Sequence, residues 1–112
     1  MNEERLPTSL WVQAHLWRCN AEGIAAYVLR KGEPESGMVV LKVTMPGQGA
    51  KIFSQSRDLD GRLGWLAGLG GGIVPEPDAD AYIERQVKRD PDLWVIEVES
   101  RTGEHPFEGR II

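Results

Sequence analysis

Glu35, Lys42 and Glu97 are the residue types that could hold a hard cation and activate water, two carboxylates as ligands and a lysine beside the developing charge. Such a site needs two or three carboxylates and a lysine converging from adjacent strands. Two positions before Lys42 stands Val40, not an acid, and the following strand offers only Lys51, Phe53 and Gln55. The acidic set is therefore incomplete, and no catalytic residue is assigned outside this alternative. Nucleophilic chemistry has one pair to consider. Cys19 lies one helical turn after His15, but His15 sits on the flank of the apolar stripe that carries Cys19, and a thiol needs its base within hydrogen-bond reach. Cys19 among apolar neighbours reads instead as a small core or interface residue. His105, just before Pro106, reads as a surface histidine in a loop.

Arg57 to Gly72 contains six of the chain's 13 glycines. A phosphate cradle would need a strand, a glycine turn and a helix in succession, or a Lys-Ser/Thr pair after the glycines, and neither is present. Asp58-Leu59-Asp60-Gly61 begins like a calcium loop but lacks the further oxygen ligands and the closing Glu. Turn and cap roles are expected for both features. Asp60 would cap a short helix carrying Leu63, Trp65, Leu66 and Leu69, ended by Gly70-Gly71-Gly72.

The elements that must position these residues follow from hydrophobic spacing. Leu10 to Ala21 is predicted as a helix, with N-cap candidates in Pro7-Thr8-Ser9 and Gly23 as terminator. It has two apolar stripes. Leu10, Ala14, Trp17 and Ala21 are assigned to the core; Val12, Leu16 and Cys19 form the second, with Trp11, His15, Arg18 and Glu22 between. An outer helix needs only one. The second stripe must be covered by another copy of the chain, the favoured reading, or by the C-terminal segment with Phe107 and Ile111-Ile112. Ile24 to Lys31, Met38 to Met45 and Ala50 to Ser56 read as strands. Short connections, including Gly32 to Gly37 as a hairpin-type loop, argue for an antiparallel meander. Asp78 to Asp90 is a second helix with Ala79, Ile83 and Val87 on one stripe, and Pro91 ends it. Trp94, Ile96 and Val98 then alternate with Val95, Glu97 and Glu99 in a last strand. The expected class is α+β, in the order αβββ(α)αβ, with a four-stranded, mainly antiparallel sheet and two main helices against it. The core should join Trp94, Ile96 and Val98 to Leu10, Ala14, Trp17, Leu41, Val43, Ile83 and Val87. Lys42 and Glu97 should face solvent.

At 112 residues the chain is one domain with enough length for a core of its own. A net charge of −4 gives no electrostatic footprint for nucleic acid. One cysteine and two histidines exclude a disulfide framework and a Cys-rich zinc site, and no metal or cofactor is expected. No apolar run approaches the ~20 residues of a membrane span. Met1 to Arg5 carries no hydrophobic signal region, so the cytoplasm is the expected compartment.

Three stretches carry a family resemblance: Leu10-Trp11-Val12-Gln13-Ala14 with Arg18; Gly32 through Gly37 into Val39-Val40-Leu41-Lys42-Val43; and Arg89 through Glu99, with Arg101 and Gly103. Over most of its length the chain resembles the bacterial family catalogued as domain of unknown function 1491. That family has no established activity, so the resemblance implies no catalytic residue. The resulting expectation is a non-catalytic protein-interaction module, homodimeric through the first helix, with Trp11, Val12, His15, Leu16, Arg18 and Cys19 as the partner-facing patch. An unknown protein partner is the further possibility. The alternative is a divergent metal-dependent nuclease, because αβββαβ is also the order of the magnesium-dependent nuclease core. Fold analogy alone is a weak warrant for it.

Overall fold

The protein is described here by a computed structural model covering residues 6–112; the reading of Met1 to Arg5 lies outside the described residues. The elements are α1 (Thr8–Ala21), β1 (Ala26–Arg30), β2 (Val39–Met45), β3 (Gly49–Arg57), β4 (Leu63–Ala67), a single 3-10 turn (Leu69–Gly71), α2 (Glu76–Arg89), β5 (Trp94–Glu99) and β6 (Arg110–Ile111). The class is α+β, as the pattern predicts. The sheet is not the expected four-stranded one. It has six strands in the order β1-β5-β2-β3-β4-β6 and is mixed, with β5 parallel to β2 and β6 parallel to β4.

Two physical causes account for the difference. First, β1 and β2 do not form a hairpin. β5 lies between them, antiparallel to β1 and parallel to β2. The loop from Gly32 to Gly37 therefore passes over the start of β5. The Glu33 amide donates to the Asp92 carbonyl at 3.0 Å, and the Trp94 indole Nε1 donates to the Glu33 carbonyl at 2.9 Å. Gly32 is required by this crossing, because a Cβ there would collide with the Asp92 carbonyl and the backbone of Leu93. Second, the expected short helix after Asp60 is β4. Its pairing with β3 on one side and β6 on the other supplies backbone partners that local propensity does not reveal.

The two helices lie on opposite faces of the sheet. α2 covers Val40, Ile52, Leu93 and Val95 with Ala79 and Ile83. Val95, expected on a mixed face, is buried because a central strand is covered on both sides. The other face carries Val39, Leu41, Val43, Phe53, Trp65, Trp94, Ile96 and Val98. Each large side chain buried there contributes roughly 1.5–3 kcal/mol relative to exposure. Burial of Trp94, Ile96, Val98, Leu41, Val43 and Ile83 agrees with the alternation read from sequence.

α1 is rotated relative to expectation. Val12, His15 and Cys19 enter the core, and Phe107 from the C-terminal segment packs with them. Leu10 is 49% and Trp17 75% exposed, and Ala14 and Ala21 also face outward. The stripe expected to need a second copy is thus the one the chain covers itself, through Phe107. Ile111 and Ile112 stay exposed at the sheet edge.

Candidate functional site

Lys42 does not face solvent. It points to the α2 side of β2 and is 4% exposed, and its Nζ lies 2.7 Å from Glu76 Oε2 and 2.7 Å from Asp80 Oδ1. Both carboxylates come from the first turns of α2, where an acid also complements the helix dipole. Burial alone would lower the Lys42 pKa, but the hydrogen bonds the ammonium donates to Asp80 and Glu76 outweigh it and hold the ammonium above its ordinary range. Glu97 stands beside Lys42 in the parallel register and accepts a 2.7 Å hydrogen bond from the Thr44 hydroxyl. The sheet does bring Lys42 and Glu97 together. Glu35 is not with them: it is exposed on the loop before β2, and its carbonyl accepts from the Thr8 amide of α1 on the other side of the sheet. The ammonium bridges Glu76 and Asp80 and pairs with both carboxylates. Among the described residues no group of three or more His, Cys, Asp or Glu side chains is placed to hold a metal ion.

The two histidines, far apart in sequence, join one aromatic cluster. His15 Nδ1 donates to the Trp11 carbonyl at 2.8 Å, which leaves Nε2 without a hydrogen-bond partner, 3.9 Å from Glu108 Oε1. Its ring stacks on Phe107, with centroids 5.4 Å apart and planes at 11°. His105 is half-buried and not the surface loop residue expected. It meets Phe53 and Trp65 edge-on, and its Nδ1 accepts from the Phe107 amide at 3.2 Å. Desolvation lowers its pKa below 6.5. Cys19 is buried in the core, and burial pushes its thiol up, away from the reactive thiolate. The cluster is a packed seam joining α1 to the C-terminal segment, and Trp65 at its centre is fully buried.

Of the expected partner-facing residues, Val12, His15 and Cys19 are buried within the single chain, Trp11 and Leu16 are half-buried, and only Arg18 is exposed. Two concave surfaces flank α1. An open cleft of about 430 Å³ at its N-terminal end is lined by Trp11, Glu35, Met38, Gln55, Arg57 and Glu108. A shallower groove of about 630 Å³ between α1 and β1 is lined by Leu10, Ala14, Leu16, Trp17, Asn20 and Ala26. The second is framed by exposed apolar side chains. Sequence reasoning misses it because Trp17 lies on the Leu10, Ala14 and Ala21 stripe assigned to the core.

The family described as "Protein of unknown function (DUF1491)" matches residues 6–108 of the chain. The chain belongs to the DUF1491 family. It is similar to the crystal structure of a DUF1491 family protein from Caulobacter crescentus, at 37% identity over 96% of this chain and 100% of that one, with a TM-score of 0.84. An NMR structure of a DUF1491 family protein from the same organism matches at 36% identity, over 98% and 99% of the two chains, also with a TM-score of 0.84. Protein Atu0922 from A. tumefaciens, at 23% identity over 87% of each chain and a TM-score of 0.72, shares the fold. No curated protein matches the chain. Among the described residues, no helix is long and apolar enough to cross a membrane.

Proposed function

We propose that this protein acts without catalysis, as a protein-contact module that associates with a second copy through the outer face of α1. One observation carries the reading: Trp17 is 75% exposed on a stripe shared with Leu10 and Ala14. The stripe cannot turn inward, because the opposite side of the helix already supplies Val12, His15 and Cys19 to the core. Single exposed apolar residues are ordinary, but a tryptophan beside an apolar groove and the exposed Arg18 has the composition favoured at protein contacts. The catalytic alternative draws no support from the geometry, since Glu35 lies apart from Lys42 and Glu97, and the Lys42 charge is already paired.

Sedimentation of the unmodified protein at tens of micromolar tests the reading. A dimer that Trp17→Glu converts to folded monomer supports it, and a clean monomer of the unmodified protein overturns it. A magnesium or manganese titration followed by tryptophan fluorescence tests the alternative: a saturable response would favour a carboxylate site.

A further inference from the structure

We propose that the second copy joins by strand addition, with β1 of one copy pairing antiparallel with β1 of the other about a two-fold axis at Tyr27, so that two six-stranded sheets become one. This rests on the self-association proposed above and specifies its geometry. β1 is the terminal strand of the sheet, and among the described residues nothing pairs with its outer edge. The ladder fixes which groups that edge presents. The Glu99 amide donates to the Ala25 carbonyl, so Ala25 and Glu99 are a hydrogen-bonded pair, and by alternation so are Tyr27 and Glu97. The amides and carbonyls of Ala26 and Val28 therefore point outward. In an antiparallel pairing of two copies, Ala26 of each would face Val28 of the other, giving four backbone hydrogen bonds, and Tyr27 would face its own counterpart. No other register satisfies all four outward groups within the strand, because the ladder shifts between Val28 and Arg30.

The surroundings favour a second copy over a charged partner. The chain carries a net charge of −4, yet the side chains beside the Ala26–Val28 edge are neutral, Leu10, Ala14 and Trp17 on the α1 side and Tyr27 and Leu29 on the other, with the exposed Lys31 beyond the end of the strand. Arg30 is turned inward, its Nη2 donating to the Pro91 carbonyl at 2.7 Å. Two such surfaces meet without like-charge repulsion. The bulge at Leu29 and the inward-turned Arg30 are devices that blunt an edge, but they lie beyond Val28, and the Ala26–Val28 stretch before them carries neither charge nor proline. The opposite edge of the sheet offers only the two residues of β6.

Cross-linking tests the geometry. Directly opposite residues in a non-hydrogen-bonded antiparallel pair have Cα atoms roughly 4.5 Å apart, within disulfide reach. Tyr27→Cys should therefore give a disulfide-linked dimer in high yield under mild oxidation, with the buried Cys19 not participating. Leu29→Cys is the control: on the same face and similarly exposed, it would stand about 14 Å from its counterpart in this register, at ~3.4 Å per residue, and should not cross-link. Ala26→Pro removes only an outward amide at the first residue of an edge strand, a position that tolerates proline, and should yield folded monomer in sedimentation. Failure of Tyr27→Cys to cross-link in a protein that still sediments as a Trp17-dependent dimer would overturn strand addition while leaving the α1 reading standing. Equal cross-linking of the Tyr27 and Leu29 variants would likewise overturn it, as collision without register. A monomeric unmodified protein overturns both.

Discussion

Replacing Phe107 with alanine tests the claim that the C-terminal segment, and not a second copy, covers the inner stripe of α1. Phe107 is 3% exposed and stacks on His15, with Trp11 and His105 at centroid distances of 6.0 and 6.1 Å. Truncating a buried phenylalanine costs ~3–5 kcal/mol in lost transfer and cavity terms. The aromatic pairs add roughly 0.5–1.5 kcal/mol. Water entering the vacated space would reach His15 Nε2, which lacks a partner in the intact protein, and would offset about 1–2 kcal/mol of that cost. The net expectation is a loss of about 3–4 kcal/mol. With a urea slope of ~1–3 kcal/mol per molar for a small domain, the unfolding midpoint should fall by roughly 2 M with the slope unchanged. Trp11 and Trp65 in the same cluster make fluorescence a direct readout. Ile111→Ala, at a residue 57% exposed, should change stability by less than ~0.5 kcal/mol. A loss below about 1 kcal/mol for Phe107→Ala would refute the assignment of the cover to this segment.

Lys42→Met keeps the buried stem and removes the charge. Because Glu76 and Asp80 are about half-exposed and can be solvated, stability at neutral pH should change by less than about 1.5 kcal/mol, whereas Lys42→Glu should cost more than ~3 kcal/mol in urea melts. The folded pKa of Lys42 is raised above 10.5, so its contribution is fully present below that pH and is lost as pH rises through the folded value; alkaline urea melts should show this loss in the parent and not in Lys42→Met. His105 has a depressed folded pKa, so its contribution is complete above 6.5 and declines as pH falls below it; His105→Gln should flatten the stability curve on the acid side of pH 6.5. Trp94→Ala, which also frees the Glu33 carbonyl from the indole, should lower stability by ~3–5 kcal/mol in the same melts. Gly32→Ala should destabilise through its collision with the Asp92 carbonyl, and an unchanged midpoint would contradict the close crossing of the two segments.

What could be read from the sequence was what local spacing determines. α2 has one apolar stripe, and Ala79 and Ile83 on it are buried as expected. β5 alternates cleanly, and Trp94, Ile96 and Val98 face the core. α1 defeated the same method because it has two stripes, and the choice between them depends on Phe107, which arrives from a distant part of the chain. β4 reads as helix from sequence because Leu63-Gly64-Trp65-Leu66-Ala67 lacks alternation; Gly64 is glycine because Ile112 and the Arg110 carbonyl crowd against it. The sequence pattern puts Lys42 in solvent because its partners, Glu76 and Asp80, belong to an element whose position over β2 depends on the crossover. The candidate site suffered most: the residues chosen for contact were largely those the fold consumes, and the face left over was the one assigned to the core.

The place of β5 between β1 and β2 also dictates the order in which this chain can fold. Among the described residues β1 pairs only with β5, joining Ala26 to Val98, so this strand has no ladder until nearly the whole chain has been made. β2 and β3 can zip at once through their short turn, giving a local nucleus, but the insertion of β5 between two earlier strands is a late, non-local closure that slows folding. During synthesis, both edges of β1 and the apolar faces of α1 would stay open to other chains until that closure. A fragment ending at Arg89 should therefore show no amide protection in β1 by hydrogen exchange; protection there would mean that β1 finds a partner before β5 exists.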